Sequence, residues 1–402
     1  MRPDPPVLRG YAVSSPKLSA SRRSAVDPFI AMDILAAARK LEAEGRSIIH
    51  MEVGQPGAPA PALVLNAARQ ALEGGRLGYT EAAGIQSLRK RISRHYLDTY
   101  GVDVPEARVM VTTGSSAGFN LAFLAAFDPG DRIVLTAPGY TAYRNIIRAL
   151  GLVPVEIEVG PETRWSLTPE LIEAARANGP VKGVLVASPA NPTGTMMTPE
   201  ALAELVSYCE GEGIWFISDE IYHGLVYEGQ QATALSTSDN VILINSFSKY
   251  YCMTGWRIGW MILPECLMRP AERIAQSLYI SPPELSQIAA TAAFDATAEL
   301  ELVKAGYAAN RSMLLERLPR IGFDRLLPVD GAFYVYADIG GFCDDSLAFT
   351  RSMLTEAGIA ATPGADFDPV HGASFMRFSF AGATADIAEA LDRLAIWMQR
   401  RG

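Results

Sequence analysis

Short, mainly apolar segments interspersed with predicted helices run through the middle of this 402-residue chain. The clearest are residues 181–187, 214–218, 241–244 and 258–263. They do not alternate polar with apolar residues, as a half-exposed strand would, so each is typical of a strand that is buried on both faces. Because helices between such strands supply the crossovers that parallel pairing needs, the pattern predicts an α/β fold with a mostly parallel sheet covered by helices.

Capping signals mark several of the helices. Thr168-Pro169 and Thr198-Pro199 each place a side-chain cap before a proline, which suits the first helical position. Asp27-Pro28 repeats this arrangement, and we expect a helix from there to Gly45. The residues before it, 1–26, are rich in Pro, Ser and Arg and predict an arm without regular structure.

The pattern changes after about residue 285. A helix predicted over 284–317 leads to the largely apolar run 331–336, and a helix over 347–357 precedes a strand over 375–380. A chain of 402 residues is too long for one simple core. These elements therefore predict a small α+β lobe at residues 286–402, next to a large lobe at residues 54–285.

The charge balance argues against nucleic acid as a partner, since 44 acidic residues outnumber 35 basic ones. The four cysteines are scattered without a C-x-x-C pair, so we expect no disulfide framework and no metal site, and a reducing compartment fits best. No stretch approaches the roughly 18 apolar residues of a membrane span, and no secretory signal precedes the fold. We expect a cytoplasmic protein that acts on small molecules.

Polar residues lie where predicted strands end, which is where open α/β sheets bind ligands. Ser115 and Ser116 open a helix directly after a strand and a glycine, which makes a candidate anion site. Asn191 lies in an Asn-Pro turn after the segment 181–187 and can donate to a phenolate-type oxygen. An ordinary helix cap and an ordinary turn are the alternatives for these two features.

Asp219 and Tyr222 follow the next apolar segment. A carboxylate at a buried strand end is costly unless it is paired, and a protonated pyridine nitrogen is a partner that would justify it. Tyr222 is placed to reach the same phenolic oxygen as Asn191. The alternative for Asp219 is a helix cap, which is a common role for aspartate before a short helix.

Lys249 completes this set, in the run Ser246-Phe247-Ser248-Lys249 after the segment 241–244, and Arg257 follows eight residues later. The spacing suits a lysine bound covalently to an aldehyde cofactor, with Ser246 and Arg257 on the phosphate of that cofactor. Pyridoxal 5′-phosphate (PLP) is the cofactor that this set fits, and the freed lysine can then move a proton at the substrate Cα. A surface lysine and a surface arginine on adjacent strands are the alternative.

Two further residues fit a site for amino acids. Arg377 is the lone charge in the apolar strand 375–380, and a buried guanidinium needs an anion such as a substrate carboxylate. Tyr140 ends another strand and can stack on a flat ring. An arginine at a sheet edge and simple core packing of the tyrosine are the alternatives.

Taken in order, these residues resemble the class I/II aminotransferases of PLP fold type I. The resemblance extends from about Val53-Gly54 to Arg377 and rests on the run 187–194, the Asp219–Tyr222 pair and Ser246-x-x-Lys249 with Arg257. It implies a large lobe with a seven-stranded sheet, and a small lobe that residues 1–53 join as an arm and helix. It also implies a homodimer with a shared active site.

The resemblance implies a role for each matching residue. Lys249 would bind the cofactor and shuttle the proton, while Asp219 would pair with the ring nitrogen. The cofactor would also contact Asn191, Tyr222, Tyr140, Ser115, Ser116, Ser246 and Arg257, and Tyr79 of the neighbouring subunit. The substrate carboxylate would be held by Arg377, with Asn191 and Gly54 beside it.

The resemblance also implies a reaction in which an L-amino acid gives its amino group to a 2-oxo acid in ping-pong order. No second arginine is clearly assignable to a side-chain carboxylate, so an enzyme dedicated to dicarboxylates is not supported, although Arg22 or Arg23 could take that part. A PLP lyase or synthase, such as a carbon–sulfur lyase, is the alternative on the same fold. A ligand-sensing regulator is a remote alternative, because fewer than 30 residues precede the fold.

Overall fold

The computed structural model describes residues 18–401, so most of the predicted arm lies outside the described residues. Within that range the α-helices are α1 Ile30–Ala43, α2 Ala62–Glu73, α3 Gln86–Tyr100, α4 Gly114–Ala126, α5 Thr141–Ala149, α6 Pro169–Arg176, α7 Pro199–Gly211, α8 Glu265–Leu278, α9 Glu284–Ala293, α10 Thr297–Ile321, α11 Ser346–Ser352 and α12 Thr384–Gln399. The strands are β1 Ile49–His50, β2 Val109–Thr112, β3 Arg132–Ala137, β4 Val153–Glu158, β5 Gly183–Ala187, β6 Trp215–Asp219, β7 Ile242–Ser246, β8 Gly259–Ile262, β9 Arg325–Leu326, β10 Tyr334–Asp338, β11 Ile359–Ala360, β12 Thr362–Pro363 and β13 Phe375–Ser379.

The large sheet has seven strands in the order β2-β8-β7-β6-β5-β3-β4. Only β8 runs antiparallel to its neighbours, and the other pairs are parallel. Both faces are covered, since Leu243 packs into the hydrophobic core on one side of β7 while Ile242 and Ile244 pack into the core on the other. The predicted α/β fold with a mostly parallel, doubly covered sheet is confirmed.

The small lobe is built on a second sheet, in the order β12-β13-β10-β9, whose pairs are all antiparallel. Its core includes Phe333, Phe378 and Trp397. The N-terminal part of the described chain joins this lobe, because β1 pairs with β11 in parallel and Ile34 of α1 packs in a cluster with Leu354.

Core packing bears on where the two lobes separate. Ala289 and Ala293 of α9, and Leu300 at the start of α10, pack in the core of the large sheet. Tyr307, two turns further along α10, packs in the core of the small lobe. The division at residues 53 and 285 stays a prediction, and these contacts favour a second boundary inside α10.

Two predicted helices differ from those observed. Asp27 does not cap α1: the N-cap residue is Phe29, and Asp27 is paired with Arg148 across 2.6 Å. The single helix predicted over 284–317 is two helices, because α9 ends at Ala293 and α10 starts at Thr297. Among residues 18–401, no helix combines the length and apolarity that crossing a bilayer requires.

Candidate active site

A cavity of about 220 Å³ opens at the carboxyl ends of the parallel strands, facing the small lobe. This is the edge of the sheet at which α/β folds bind ligands. The predicted site residues that line it are Gly54, Ser115, Ser116, Tyr140, Asn191, Asp219, Tyr222, Lys249, Arg257 and Arg377. Residues spread over more than 300 positions of the sequence therefore meet in one place, as the resemblance implies.

Lys249 follows the end of β7 by three residues, and its amine points into the cavity. The amine Nζ donates to the carbonyl oxygen of Gly54 across 2.6 Å. Burial lowers the pKa of Lys249 to about 8, and the nearby Arg377 charge adds to this effect while Asp219 opposes it. A lysine in this state holds a substantial neutral fraction near physiological pH, which is the form that attacks an aldehyde.

Asp219 is the last residue of β6 and is buried. One carboxylate oxygen accepts the hydroxyl of Tyr143, and the other accepts the backbone N–H of Ile221 across 3.0 Å. Burial raises the pKa of Asp219 to about 6 against the effect of these two hydrogen bonds. A cationic group facing this carboxylate would stabilise its charged form, so the site suits a protonated ring nitrogen.

Arg377 is buried in the middle of β13 and faces the same cavity. Its Nη1 donates to Asn191 Oδ1 across 2.8 Å, and its Nη2 donates to Thr362 Oγ1 across 3.1 Å and to the Glu52 carbonyl. Its Nε finds no acceptor among residues 18–401. A buried guanidinium with an unused donor is suited to a carboxylate ligand.

Tyrosine rings surround these polar groups. The hydroxyls of Tyr222 and Tyr334 are 2.7 Å apart, and Tyr140 lies edge-on to Tyr143 with ring centroids 5.2 Å apart. A Cβ atom at Gly54 would collide with the Tyr334 hydroxyl, so no larger residue fits there without rearrangement. Glycine at position 54 lets the chain pass close enough for its carbonyl to reach the lysine.

The start of α4 lies at the cavity, which Ser115, Ser116 and Arg257 line. Gly114 has a φ of +74°, which allows a tight turn from β2 into the helix that presents Ser115 and Ser116. Arg257, itself at a φ of +49°, packs its guanidinium against Gly114, where a side chain on residue 114 would displace it. A helix N-terminus, two hydroxyls and a guanidinium at one end of a cavity are groups that suit a phosphate.

Two predicted residues do not line the cavity. Ser246 is buried behind Ser248, with the two hydroxyl oxygens 2.9 Å apart, and it is Ser248 that faces the cavity. Tyr79 is 83% exposed on the surface of its own chain. Arg22 and Arg23 are also exposed and do not line the cavity.

Several lining residues escape prediction from the sequence. Tyr143 lies inside an amphipathic helix and Tyr334 inside an apolar strand, so both have the pattern of core residues. Ser248 is adjacent to Lys249, and its position there is a signal that points to the cavity. Phe29 and Met32 of α1 carry no signal at all, because only the tertiary fold brings that helix to the cavity.

The family model described as "Aminotransferase class I and II" matches residues 46–394. That range contains both sheets and every residue that forms the polar part of the cavity. The chain belongs to this family. It is an aminotransferase, as its sequence predicts, and the regulator considered as a remote alternative is not supported.

Curated relatives cover nearly the whole length of the aminotransferase. The valine–pyruvate aminotransferase of Mycobacterium tuberculosis is 50% identical over 380 residues, which are 94% of this chain and 97% of the relative. The (5-formylfuran-3-yl)methyl phosphate transaminase of Methanocaldococcus jannaschii is 35% identical over 93% of this chain and 98% of its own.

Solved structures agree with this assignment. An aminotransferase from Mycobacterium tuberculosis superposes with a TM-score of 0.93 at 48% identity, covering 96% of this chain and 100% of the other. The aspartate aminotransferase of Thermus thermophilus, solved with maleate, gives a TM-score of 0.88 at 31% identity, covering 94% and 100%. The family is PLP-dependent, and the cavity of this aminotransferase offers an amine, a buried carboxylate and a phosphate-type site that fit this group.

Proposed function

We propose that this aminotransferase uses PLP, bound through Lys249, to transfer the amino group of an L-amino acid to a 2-oxo acid in ping-pong order. The observation that carries the proposal is the meeting of the Lys249 amine and the buried Asp219 carboxylate in one cavity. When bound, PLP withdraws electrons from the substrate Cα and so stabilises the carbanion that proton removal creates. The residues of the chain provide binding, orientation and proton transfer.

Asp219 would hold the ring-nitrogen proton, and Tyr143 would keep the carboxylate oriented through its hydroxyl. Asn191 and Tyr222, which follow the neighbouring strands β5 and β6, would bind the phenolic oxygen, and Tyr140 would lie against the ring. Ser115, Ser116 and Arg257 would bind the phosphate. Ser248 joins this set because it lines the cavity, while Ser246 would support it from behind.

Arg377 would bind the substrate α-carboxylate with its unused Nε donor and with the Nη1 that now contacts Asn191. Lys249, released from its covalent bond, would take the proton from the substrate Cα and deliver it to the cofactor carbon that carried the aldehyde. Its lowered pKa supports this role, because a general base works best when its pKa lies near the operating pH.

We further propose a homodimer that completes the phosphate site. Tyr79 is the predicted contact with the neighbouring subunit, and its 83% exposure leaves its ring available to one. A location in the cytoplasm is proposed as well, supported by four cysteines that are all free thiols.

The amino donor is best sought among neutral aliphatic amino acids. The valine–pyruvate aminotransferase from Mycobacterium tuberculosis shares half of its residues with this chain, so L-valine with pyruvate is the first pair to test. L-Alanine, L-aspartate and 2-oxoglutarate complete the panel.

The deciding experiment combines borohydride reduction, mass spectrometry of the Lys249 peptide and a measurement of the 2-oxo acid released. The PLP-loaded protein is reduced with borohydride and digested, and the Lys249 peptide is expected to carry the cofactor mass. A second sample is mixed with L-valine alone, and one equivalent of 2-oxo acid per site is expected. An unmodified Lys249 peptide from fully loaded protein would overturn the proposal. A third sample receives L-cysteine, which carries a leaving group on Cβ, and catalytic release of pyruvate, ammonia and sulfide from it would replace transfer with a lyase reaction.

A further inference from the structure

The cavity has an apolar wall. Three of its residues come from the start of α1, and we call them the α1 wall: Phe29, Ala31 and Met32. Ala142 and Ile146 of α5 also line the cavity, and Phe29 lies edge-on to Tyr140 with ring centroids 5.7 Å apart. An uncharged surface beside the ring-binding tyrosine is suited to an aliphatic side chain of a substrate.

The helix that carries this wall does not cap itself. The N-cap residue Phe29 offers no side-chain acceptor, which leaves the first backbone N–H groups of α1 without partners in their own segment. Asp366 of the small lobe supplies the missing acceptors: its two carboxylate oxygens accept hydrogen bonds from the N–H of Ile30 across 3.1 Å and from that of Ala31 across 3.2 Å. A carboxylate at this position also matches the positive end of the helix dipole.

Asp366 is fixed in turn by α5. Its backbone carbonyl accepts Arg144 Nη2 across 2.7 Å and the hydroxyl of Thr141. Its side chain is buried, with 1% of the residue exposed. One residue therefore binds both the first turn of α1 and α5, the helix that carries the cavity-lining Ala142 and Ile146.

We propose that the α1 wall is the subsite for an uncharged aliphatic side chain of the amino donor, and that Asp366 is the positioning residue that keeps it in place. The inference rests on the proposed function, because it assigns a substrate contact to the same cavity. Asp366 touches neither the substrate nor the reacting atoms. It acts through the first turn of α1.

The test compares Asp366→Asn with a matched control, Asp345→Asn. Asp345 caps α11 by accepting the N–H of Ala348 across 2.9 Å, and it does not line the cavity. Asparagine keeps one acceptor oxygen and replaces the other with an NH2 group, so Asp366→Asn loses one of the two hydrogen bonds to α1 and leaves a backbone N–H unpaired. We therefore expect KM for L-valine to rise about tenfold, with a smaller rise for L-alanine and little change in kcat. The control should leave the ratio of the two KM values unchanged.

Hydrogen exchange provides a readout that does not depend on turnover. In Asp366→Asn the amides of Ile30 and Ala31 should exchange faster than in the wild type, while those of α11 should not. Unchanged exchange in α1, or an unchanged KM ratio in an active variant, would overturn the inference. Absence of transfer by the wild type would instead count against the proposed function, and the exchange result would still report on the hydrogen bonds between Asp366 and α1.

A second variant probes the α1 wall without changing Asp366. Met32 is 49% exposed, so Met32→Ala should fold normally, and it should reduce the preference for L-valine over L-alanine by about threefold. Met268→Ala in α8, outside the cavity lining, is the control. An unaltered preference in Met32→Ala would remove this side chain from the subsite.

Discussion

The floor and the wall of the cavity are built in opposite ways. The site floor, Asn191, Asp219 and Lys249, lies at or just after the ends of buried, parallel strands of the large sheet. The α1 wall lies at the start of a helix without a cap of its own, and it depends on Asp366, more than 300 residues further along the chain. Local sequence therefore determines the floor, whereas long-range contacts determine the wall.

The two regions also differ in charge. The floor places a lysine and an aspartate in a buried site. Burial lowers the pKa of Lys249 and raises that of Asp219, and both shifts favour the neutral form of the side chain. The α1 wall contains only apolar side chains. Changes in the floor should therefore reduce the rate of the reaction, whereas changes in the wall should alter which substrate is preferred.

The largest effect is expected from Lys249→Ala. Because this amine would both bind the cofactor and move the Cα proton, kcat should fall by more than about 10⁴-fold. Steady-state transfer between L-valine and pyruvate measures it, with Lys182→Ala, an exposed lysine just before β5, as the control. Turnover of Lys249→Ala within tenfold of the wild type would show that the floor does not carry the chemistry.

Asp219→Asn should have the next largest effect. An amide keeps the shape of the side chain but cannot stabilise a protonated ring nitrogen, so we expect kcat to fall by about 10²–10³-fold while the cofactor remains bound. Rapid mixing with one amino acid would measure the half-reaction directly. A wild-type rate for this variant would refute the pairing of Asp219 with the ring nitrogen.

Arg377→Lys separates substrate binding from the chemistry of the floor. A lysine keeps the charge but lacks the planar pair of donors, so KM should rise by about tenfold or more for every amino acid, whatever its side chain. Arg325→Lys, on the exposed strand β9 of the same lobe, is the control. A KM change confined to one amino acid would move Arg377 from the carboxylate site to the side-chain site.

The sequence predicts the floor well for a physical reason. Asp219 and Lys249 follow strands whose continuous apolar character identifies them as buried and parallel, and the carboxyl ends of such strands meet at one edge. The phosphate contact of Ser246 stays a prediction. Spacing predicts Ser246 beside the phosphate, and in the structure Ser248 lines the cavity while the Ser246 hydroxyl lies 2.9 Å from that of Ser248.

The α1 wall could not be predicted, because the signals near the N-terminus point elsewhere. Asp27-Pro28 has the form of a helix start, yet Asp27 binds Arg148 of α5 and the helix begins three residues later. The carboxylate that caps α1 is Asp366, which no local pattern links to residue 30. A sequence pattern records local preferences, and this cap exists only once the N-terminal helix has packed against the small lobe.

The smallest effect concerns stability and follows from the pKa of Asp219. In the folded, cofactor-free protein burial raises this pKa from its ordinary value of 3.8 to about 6. Between about pH 4 and pH 6 the unfolded chain binds fewer protons at this group than the folded chain, so its contribution to stability falls as the pH rises. Asp219→Asn removes that loss.

The melting temperature of cofactor-free Asp219→Asn should therefore exceed that of the wild type by a few degrees at pH 7.5, and the difference should shrink toward zero near pH 4. Asp324→Asn, at an exposed position of the small lobe, should show no such dependence on pH. If the wild type and Asp219→Asn have the same melting temperature at every pH, the charge on Asp219 does not destabilise the folded protein, and the floor does not differ from the wall in this respect. If they diverge as expected, the cost belongs to the residue that would pair with the ring nitrogen, and saturation with PLP should then stabilise the wild type more than Asp219→Asn.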